Sequence, residues 1–395
     1  MNRIVVTGLG VISAIGNSVA ENLVSLREGR CGIGRLEMFP SKFSGVLPVG
    51  EIKISTEALK EKLNAIESGV TRTTLLALHA IKEALADSGL TDAFVSAGDT
   101  ALIGATTVGG MCLTDEMYAD SKKDTPGSAY LSSYDFGATN MYLQKYFSIG
   151  GSINTINTAC SSSANAIMYG ARLIRNGKVR RAIVGGVDSL AKFTINGFNS
   201  LHILSNETCT PFDEGRKGLN LGEGAAFLVL EKESDVPEKK MYAALSGYSN
   251  ANDSFHASSL SDNGEGPYKA MKEALASAKL DPSQIDFINA HGTATENNDL
   301  VESMAMLRLF EKVPAFASTK ANIGHTLGAS GAIEALHCIL NLSEQELYPA
   351  IHFNKPIPET GLIPVKSYQK ILLNNIMSNS FGFGGNCSSL IFSKI

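Results

Sequence analysis

Residues 153–164 read Ile-Asn-Thr-Ile-Asn-Thr-Ala-Cys-Ser-Ser-Ser-Ala, and this segment carries the most information about the fold. Its first five residues are β-branched or polar and predict a strand. The strand stops at one cysteine, Cys160, and the small residues after it predict a helix over 161–176. Because a thiol there faces the positive end of a helix dipole, we expect its pKa to lie below the usual value of about 8.5. From this segment alone, a buried structural cysteine is an equally good interpretation.

Composition excludes several classes of protein. The 395 residues are 44% hydrophobic and 18% charged, which predicts a globular chain with a large core and about two or three domains, or one fused unit. The net charge of -5 without any Lys/Arg run gives nucleic-acid binding no electrostatic support. An acidic carrier protein would need only a local basic patch.

The cysteines indicate the compartment. Six are scattered along the chain without a CxxC pair, which argues against zinc and against a disulfide framework. We therefore predict no metal site and a reducing, cytoplasmic location. No apolar stretch reaches the roughly 18 residues that a membrane span needs.

The N-terminal segment 4–13 contains glycines that call for a dinucleotide-binding test. Ser13 stands where the third glycine of GxGxxG belongs, and no strand ending in an acidic residue follows about 20 residues later. The segment is therefore interpreted as a first strand, with Gly8 and Gly10 forming a tight turn after it.

Strand-like and helix-like stretches alternate along the rest of the chain, which predicts mixed or parallel sheets layered with helices. Helices are predicted over 71–88, 268–278 and 329–342, and strands over 101–105, 181–184, 224–231, 241–248, 285–290 and 389–392. Segments 158–164 and 325–332 are alike, because each introduces a helix with small residues. This similarity suggests a duplicated unit with a seam near the charged stretch 232–240, giving halves 1–238 and 239–395.

Three later segments contain residue types that could assist a thiolate. A predicted strand ends at His291; Lys320 and His325 lie five residues apart, with Glu334 on the next helix; and a glycine-rich turn over 378–386 includes Phe381 and Phe383. Each segment alone also has a purely structural interpretation. Their order after Cys160 in one βα chain makes the set far more specific.

Taken together, these segments resemble the elongating β-ketoacyl-acyl-carrier-protein synthases, type I/II condensing enzymes of the thiolase superfamily. The match covers essentially the whole chain: an opening motif (5–10), a nucleophile motif (158–162), two histidine motifs (291–295; Lys320 with 324–325) and a closing loop (379–385). The resemblance implies an α/β, thiolase-like fold, in which two duplicated βαβαβ halves form a five-layered αβαβα core.

The implied reaction is a decarboxylative Claisen condensation in fatty-acid elongation. A Cys160-bound acyl chain would react with malonyl-acyl-carrier protein, so the enzyme would be an acyltransferase without a cofactor beyond the carrier's phosphopantetheine. The resemblance makes Cys160 the nucleophile and the backbone N–H groups of Cys160 and Phe383 the oxyanion hole. His291 and His325 would stabilise the enolate, and Lys320, paired with Glu334, would hold that network.

The remaining implied residues bind the substrate. Thr293 and Thr295 would contact the pantetheine arm, Phe383 would gate the acyl pocket, and that pocket would be lined by Val108, Phe198 and Phe381. The expected partners are acyl-carrier protein, acyl and malonyl thioesters, and a second copy of the chain, with a heterodimer as the alternative.

Three departures from the family pattern leave a second function open. Lys217 stands where an acidic residue is usual, Asn220 where an apolar residue is common, and His202 where elongating synthases tend to have arginine. The alternative is a specialised type II ketosynthase of polyene or polyketide biosynthesis.

Two further alternatives are weaker. A thiolase would use a second cysteine, for which Cys387 is the candidate, but Cys387 follows the glycine loop instead of preceding it. A chain-length-factor-like subunit would lack the nucleophile, whereas Cys160 is present. Two histidines, rather than one histidine and an asparagine, favour elongation over chain initiation.

Overall fold

The computed structural model describes residues 3–123, 128 and 130–395, and its centre is a mixed sheet of ten strands. The strands in these ranges are β1 (Ile4–Ser13), β2 (Ile33–Gly34), β3 (Val49–Gly50), β4 (Thr100–Ala105), β5 (Ile153–Ile156), β6 (Arg181–Asp188), β7 (Gly224–Lys232), β8 (Ala243–Asn252), β9 (Phe287–Asn289), β10 (Ala315–Ala317), β11 (Glu346–Leu347), β12 (Gln369–Lys370), β13 (Asn375–Phe381) and β14 (Asn386–Ser393). Strands β2 with β3 and β11 with β12 form two small separate ribbons.

The ten-stranded sheet consists of two halves with the same topology. One half has the order β5-β4-β6-β7-β1 and the other the order β10-β9-β13-β14-β8. If the five strands of each half are numbered in chain order, both halves read 3-2-4-5-1 across the sheet. The parallel and antiparallel pairings also match between the halves. The halves join through β1 and β8, where Val5 pairs with Ala244 and Val6 with Ala243. The predicted duplication is confirmed, while the boundary at 238 stays a prediction.

Helices cover both faces of this sheet and fill the space between its halves. Those in the described ranges are α1 (Val19–Arg27), α2 (Thr56–Leu63), α3 (Arg72–Ser88), α4 (Asp92–Val95), α5 (Thr114–Asp120), α6 (Leu131–Tyr134), α7 (Ala138–Phe147), α8 (Ser162–Arg175), α9 (Lys192–Ser200), α10 (Glu265–Ala278), α11 (Glu296–Leu309), α12 (Lys320–Ile323) and α13 (Ser330–Glu344). None of these helices combines the length and apolar character that crossing a membrane requires.

The layers follow from which helices contact which strands. Helices α8 and α13 contact each other and lie between the two halves, α3 packs on β1 and β7, and α10 packs on β8 and β14. The largest apolar cluster surrounds α8 and α13. This arrangement has the predicted αβαβα layers, and the small residues that begin α8 and α13 explain the close central contact. A Cβ at Gly331 would lie 2.7 Å from the backbone nitrogen of Ala164.

Local sequence explains the helix ends that were predicted. Helix α3 is capped by the Thr71 hydroxyl, which accepts the backbone N–H of Thr74 at 3.1 Å, and it ends at Gly89 with φ 64°. Helix α8 likewise matches the predicted 161–176, and α13 matches 329–342 to within two residues. Helix α10 begins three residues earlier than predicted, at Glu265, and β8 runs on to Asn252.

The predicted tight turn at Gly8 and Gly10 is wrong. Strand β1 continues through both glycines to Ser13, because α3 presses directly against this strand. A Cβ at Gly8 would lie 2.4 Å from the carbonyl oxygen of Ala84, and one at Gly10 would lie 2.0 Å from that of Ala80. These glycines therefore allow a helix to pack closely on a strand and have no role in turning the chain.

Candidate active site

The nucleophile lies at a sharp bend between β5 and α8. Ala159 adopts the left-handed conformation, with φ 54°, and Cys160 follows it with only 7% of its surface exposed. Side chains of the new helix hold the bend: the hydroxyl of Ser162 accepts the Thr158 N–H at 2.8 Å, and the hydroxyl of Ser161 donates to the Thr158 carbonyl at 2.8 Å. The small residues after Cys160 thus fix its backbone.

The predicted decrease in the thiol pKa is wrong for the empty site. Burial raises the pKa of Cys160 to about 11; the charge of Lys320 and the backbone N–H groups of Phe383 and Cys160 oppose this effect. The sequence-based expectation considered the helix dipole but not the cost of removing a thiolate from water.

The turn after β13 supplies a second backbone donor. The backbone N–H groups of Phe383 and of Cys160 itself lie near the sulfur and favour its thiolate form, which lowers the pKa of the thiol. Gly382 permits this approach, because a Cβ there would lie 2.8 Å from the Thr158 carbonyl oxygen and 3.2 Å from the Cys160 nitrogen. The oxyanion hole expected at the backbone N–H groups of Cys160 and Phe383 stays a prediction.

The proton of His325 is placed by its surroundings. The Nε2 atom lies 3.1 Å from the Cys160 sulfur. On the other side of the ring, Nδ1 accepts the backbone N–H of Leu327 at 3.1 Å and lies 2.9 Å from the Ser330 hydroxyl. Because a backbone N–H can only donate, Nδ1 has to be the acceptor, and in the neutral ring the proton is on Nε2. His325 therefore presents a hydrogen-bond donor to the sulfur.

His291 is oriented in the same way by Lys320. The lysine ammonium group lies 3.3 Å from His291 Nδ1, donates to the His291 carbonyl at 2.6 Å and forms a buried ion pair with Glu334. A protonated lysine donates to Nδ1 and so leaves the ring proton on Nε2. Burial, followed by the charge of Lys320, holds the pKa of both His291 and His325 well below the usual range, so both rings are neutral near pH 7.

The same three side chains also have the spacing of a metal site. Ligand atoms of Cys160, His291 and His325 lie within 4.8 Å of one another. A metal on either Nε2 would move the ring proton to Nδ1, where it would face the Leu327 N–H or the Lys320 ammonium. The donor pattern is thus poorly suited to a cation, and the absence of a metal stays a prediction.

A second set of buried groups holds the His291 loop, and sequence reasoning missed it. Glu302 accepts the N–H groups of His291 and Gly292, each at 2.9 Å, and Asn379 donates to it at 3.2 Å. Burial raises the pKa of Glu302 to about 7. Asp299, one turn earlier on α11, accepts the Thr293 N–H at 2.9 Å. The spacing of Asp299 and Glu302, i and i+3 on one helix, was the available signal.

Two of the unusual residues have local explanations. The side chain of Asn220 accepts the Cys209 N–H at 2.7 Å and donates to the carbonyls of Ser205 and Glu207. Its own carbonyl accepts the His325 N–H at 2.7 Å, so a buried amide braces the loop that carries a site histidine. The second of these residues, Lys217, is exposed and pairs with Glu207 at 2.9 Å.

A cavity with about 60 Å³ of internal space leads to the cysteine. It is lined by the predicted residues Cys160, His291, His325, Thr293, Thr295, Phe198, Phe381 and Phe383, and also by Ile203, Leu219, 258–260, 297–298 and Gly382. The rings of Phe198 and Phe383 stack with centroids 5.9 Å apart across it. Sequence reasoning did not find the polar wall at 258–259 and 297–298.

Three named residues lie outside this cavity. Val108 is completely buried in the apolar cluster behind Phe198, together with Leu219 and Leu327. His202 is exposed at the end of α9, beside the cavity-lining Ile203. Cys387 is buried within β14 and does not line the cavity, so the geometry gives a thiolase-like second cysteine no support.

Comparison with known families gives a match over most of the chain. Residues 1–236 match the family described as beta-ketoacyl synthase, N-terminal domain, and residues 242–354 match its C-terminal domain. A mitochondrial protein of Schizosaccharomyces pombe named putative 3-oxoacyl-[acyl-carrier-protein] synthase is 33% identical over 100% of this chain and 99% of its own. The 3-oxoacyl-[acyl-carrier-protein] synthase 2 of Synechocystis is 31% identical, covering 99% of this chain and 98% of its own.

Solved structures agree on the fold. The ishigamide ketosynthase/chain length factor superposes with a TM-score of 0.93 at 27% identity, covering 100% of this chain and 99% of its own. A ketosynthase in complex with its chain length factor from Xenorhabdus doucetiae gives a TM-score of 0.87 at 29% identity, covering 100% and 98%.

Proposed function

This chain belongs to the β-ketoacyl synthase family, and we propose that it is a 3-oxoacyl-[acyl-carrier-protein] synthase of fatty-acid elongation. The observation that carries this proposal is the clustering of Cys160, His291 and His325, whose side-chain nitrogen and sulfur atoms lie within 4.8 Å of one another, with the Nε2 of His325 3.1 Å from the sulfur. A nucleophile surrounded by donors is suited to thioester chemistry, in which negative charge develops on an oxygen next to the sulfur.

The first half-reaction loads the enzyme. The Cys160 sulfur attacks the carbonyl carbon of an acyl thioester, the bond from that carbon to the carrier's sulfur breaks, and the proton from Cys160 ends on the carrier's thiol. The N–H groups of Phe383 and Cys160 bind the transient oxyanion. Because burial raises the pKa of the empty thiol to about 11, this step relies on the bound substrate and the nearby Nε2–H of His325 to stabilise the thiolate.

The second half-reaction forms the carbon–carbon bond. The malonyl thioester loses CO₂, and the electron pair of the broken bond becomes an enolate whose oxygen accepts the Nε2–H groups of His291 and His325. The enolate carbon then attacks the acyl carbon on Cys160, and the cysteine leaves as a thiolate. Both imidazoles have to be neutral with the proton on Nε2, which is the form that the Leu327 N–H and Lys320 select.

A specialised type II ketosynthase of polyene or polyketide biosynthesis is the second candidate. It is favoured by the high structural similarity to two ketosynthases that are named together with chain length factors, at 27% and 29% identity. The exposed His202, which precedes the cavity-lining Ile203 and stands where elongating synthases tend to have arginine, points the same way. The presence of Cys160 and both histidines argues against a non-catalytic subunit.

We further propose that the acyl substrates arrive on the phosphopantetheine of an acyl-carrier protein, with no other cofactor. The polar wall formed by Thr293, Thr295, 258–259 and 297–298 suits the amide groups of a pantetheine arm. Leu201 and Phe255 are 49% and 58% exposed in the loops that supply Ile203 and Ser258 to the cavity, and they offer a carrier an apolar contact.

A homodimer is the proposed assembly, with a heterodimer as the alternative. Strand β5, which leads into Cys160, is the outermost strand of its half, and Ile153 and Ile156 on it are only partly buried. A second copy could add its own edge strand there. Sedimentation equilibrium of the isolated chain is expected to give twice its mass of 41.9 kDa. A monomer that dimerises only with a second, different chain would favour the heterodimer.

We propose a reducing, cytoplasmic location. All six cysteines are free thiols, and Cys209, Cys338 and Cys387 are each buried without a disulfide partner. The mitochondrial relative makes the location a question for experiment. Detection of the tagged chain in cytosolic and membrane-bounded fractions would decide it.

A panel of acyl-carrier-protein substrates tests the function. Carriers loaded with saturated chains of graded length are mixed with malonyl carrier and the chain, and the products are read by mass spectrometry. Fatty-acid elongation predicts single two-carbon extensions of saturated chains. Repeated extensions without intervening reduction would favour the ketosynthase alternative. No condensation by the wild type, with loss of neither thioester, would contradict both.

A further inference from the structure

Asp188 is a fully buried carboxylate that the proposed mechanism does not use. It is the last residue of β6 and none of its surface is exposed. Its carboxylate accepts hydrogen bonds from five donors in two separate loops, and a buried anion with so many partners is held in one position.

One group of donors comes from the loop after β4. Oδ1 accepts the Thr106 hydroxyl at 2.6 Å and the Val108 N–H at 2.8 Å, while the hydroxyl and N–H of Thr107 bind the same carboxylate at 2.5 and 2.9 Å. Val108 belongs to the apolar cluster behind Phe198. Asp188 therefore fixes the backbone of the wall behind the cavity.

The fifth donor comes from the turn that follows His325. The Gly328 N–H donates to Asp188 Oδ2 at 2.7 Å. The residue before it, Leu327, has φ 52°, a left-handed conformation that costs a branched-chain residue energy unless its surroundings hold it. It is this strained Leu327 whose N–H donates to Nδ1 of His325. The Asp188–Gly328 hydrogen bond fixes the backbone immediately after Leu327.

We propose that Asp188 is a positioning residue that keeps the His325 proton on Nε2 and couples this ring to the wall at Val108. With Gly328 held, Leu327 aims its N–H at Nδ1, and His325 can only donate from Nε2. Without the carboxylate, Leu327 can relax to negative φ and its N–H turns away, so the ring is free to carry its proton on either nitrogen. The inference deepens the proposed function and depends on it for its kinetic test.

The substitution Asp188→Asn tests this proposal, because the amide places an N–H₂ group against backbone N–H donors. Acylation of Cys160 by an acyl carrier should fall by no more than about threefold, because the Nε2–H of His325 is only one of the groups that stabilise the thiolate, and the backbone N–H groups of Phe383 and Cys160 are unchanged. Condensation with malonyl carrier should fall about tenfold or more, because it needs the Nε2–H of His325. A purely structural role would reduce both half-reactions together.

A spectroscopic measurement tests the tautomer without any substrate. In ¹⁵N-histidine-labelled wild type, His325 should show one protonated and one unprotonated nitrogen, assigned by its loss in His325→Gln. In Asp188→Asn the two signals should move towards each other as the tautomers mix. This readout holds even if the proposed reaction is wrong, so failure of the tautomer proposal and failure of the function can be told apart.

Two further variants complete the design. Glu231→Gln removes another buried carboxylate, which lies on β7 seven residues from Gly224, the residue that pairs with Asp188. This control should leave the His325 signals and the ratio of the two half-reaction rates unchanged. Gly328→Ala keeps the carboxylate but places a Cβ 2.9 Å from Oδ2, and it should act like Asp188→Asn. If Asp188→Asn does not fold, the same measurements on Gly328→Ala test the proposal. Unchanged signals and an unchanged ratio in the folded variants would overturn the proposal.

Discussion

At the scale of single residues, the chemistry depends on where protons are held. The thiol of Cys160 is buried with a raised pKa, whereas His291 and His325 are buried with lowered pKa values. Burial penalises the charged form of every one of these groups, so the empty site is close to neutral around the sulfur. The Nε2 of His325, 3.1 Å from the sulfur, is already in position to donate a hydrogen bond to it.

Buried His337 provides a pH test outside the reaction itself. Burial lowers its pKa to about 3; its Nε2 is a buried atom without a partner, and its Nδ1 lies 3.3 Å from the Thr319 hydroxyl. Between about pH 6.5 and 3 the unfolded chain binds a proton here that the folded chain does not, so this group lowers stability as pH falls. The substitution His337→Leu removes the effect.

The difference in free energy of unfolding between His337→Leu and wild type should therefore rise, in favour of the variant, by about 1.4 kcal/mol for each unit by which the pH is lowered from 6 to 4.5. Urea unfolding at several pH values measures this difference, in which the constant packing effect of the substitution cancels. Exposed His256 offers a control, because His256→Gln should change the difference little. A difference for His337→Leu that does not vary with pH would show that the folded chain protonates His337 normally.

The sequence brought out the candidate site residues but not their protonation. The order of Cys160, His291, Lys320 and His325 could be predicted because each lies in a short motif. The pKa of Cys160 could not, since it depends on the whole protein that excludes water from the sulfur. The position of the proton on His325 could not be predicted either. It is set by the backbone N–H of Leu327, and a backbone group leaves no trace in the choice of side chain.

At the scale of elements, the site is assembled from the ends of strands. Strand β5 ends before Cys160, β9 before His291, β10 before Lys320 and β13 before Phe383. Glycines mark two of the bends that follow, because a Cβ at Gly292 or at Gly382 would lie 2.6 or 2.8 Å from a neighbouring atom. Sequence reasoning found the glycine loop at 382–385, but it assigned Gly8 and Gly10 to a turn because close helix–strand packing leaves the same pattern.

The bend at Gly382 gives a test of the oxyanion hole. In Gly382→Ala the new Cβ would meet the Thr158 carbonyl oxygen at 2.8 Å and the Cys160 nitrogen at 3.2 Å, so the strand ends have to move apart. Loss of one oxyanion donor typically lowers kcat by about 10²–10³-fold, and we expect a loss of this order in Cys160 acylation. Gly98→Ala, with no atom within 4 Å of its Cβ, is the control that should keep full activity.

The test compares the rates at which an acyl carrier acylates Cys160 in Gly382→Ala and in wild type. The rates are measured by rapid acid quench followed by mass spectrometry. A Gly382→Ala protein with wild-type acylation would mean that the Phe383 N–H does not bind the oxyanion.

At the scale of the whole molecule, the two halves have to be held together, since two residue pairs of β1 and β8 join their sheets in the part of the chain that the structure describes. Helices α8 and α13 bury the apolar surface between them, and buried polar links fix the surrounding loops. Duplication was visible in the sequence as two helices that begin with small residues. The shared strand order could not be predicted, because β9 and β10 are three residues long and the pairing of such short strands leaves little pattern.

One such link is the buried ion pair of Arg72 and Glu223. The guanidinium donates to Glu223 at 2.6 and 2.9 Å, and the carboxylate also accepts the N–H groups of Ile52 and Leu190. Removing one partner leaves the other charge buried, so Glu223→Gln should lower the free energy of unfolding by about 3–5 kcal/mol. Urea denaturation measures this loss. As a control, Glu233→Gln, which removes the exposed ion pair with Arg3, should lower the free energy of unfolding far less. Equal effects of the two substitutions would show that Glu223 is not a structural link.

The account rests on Cys160 as the group that carries the acyl chain, and intact-protein mass spectrometry tests this most directly. After incubation with an acyl-carrier-protein thioester, the wild type should gain the mass of one acyl group. Peptide mapping should place that group on Cys160, and addition of malonyl carrier should remove it as the extended product. Cys160→Ala should gain no mass and form no product. An acyl group on another residue, or condensation by Cys160→Ala, would contradict the account.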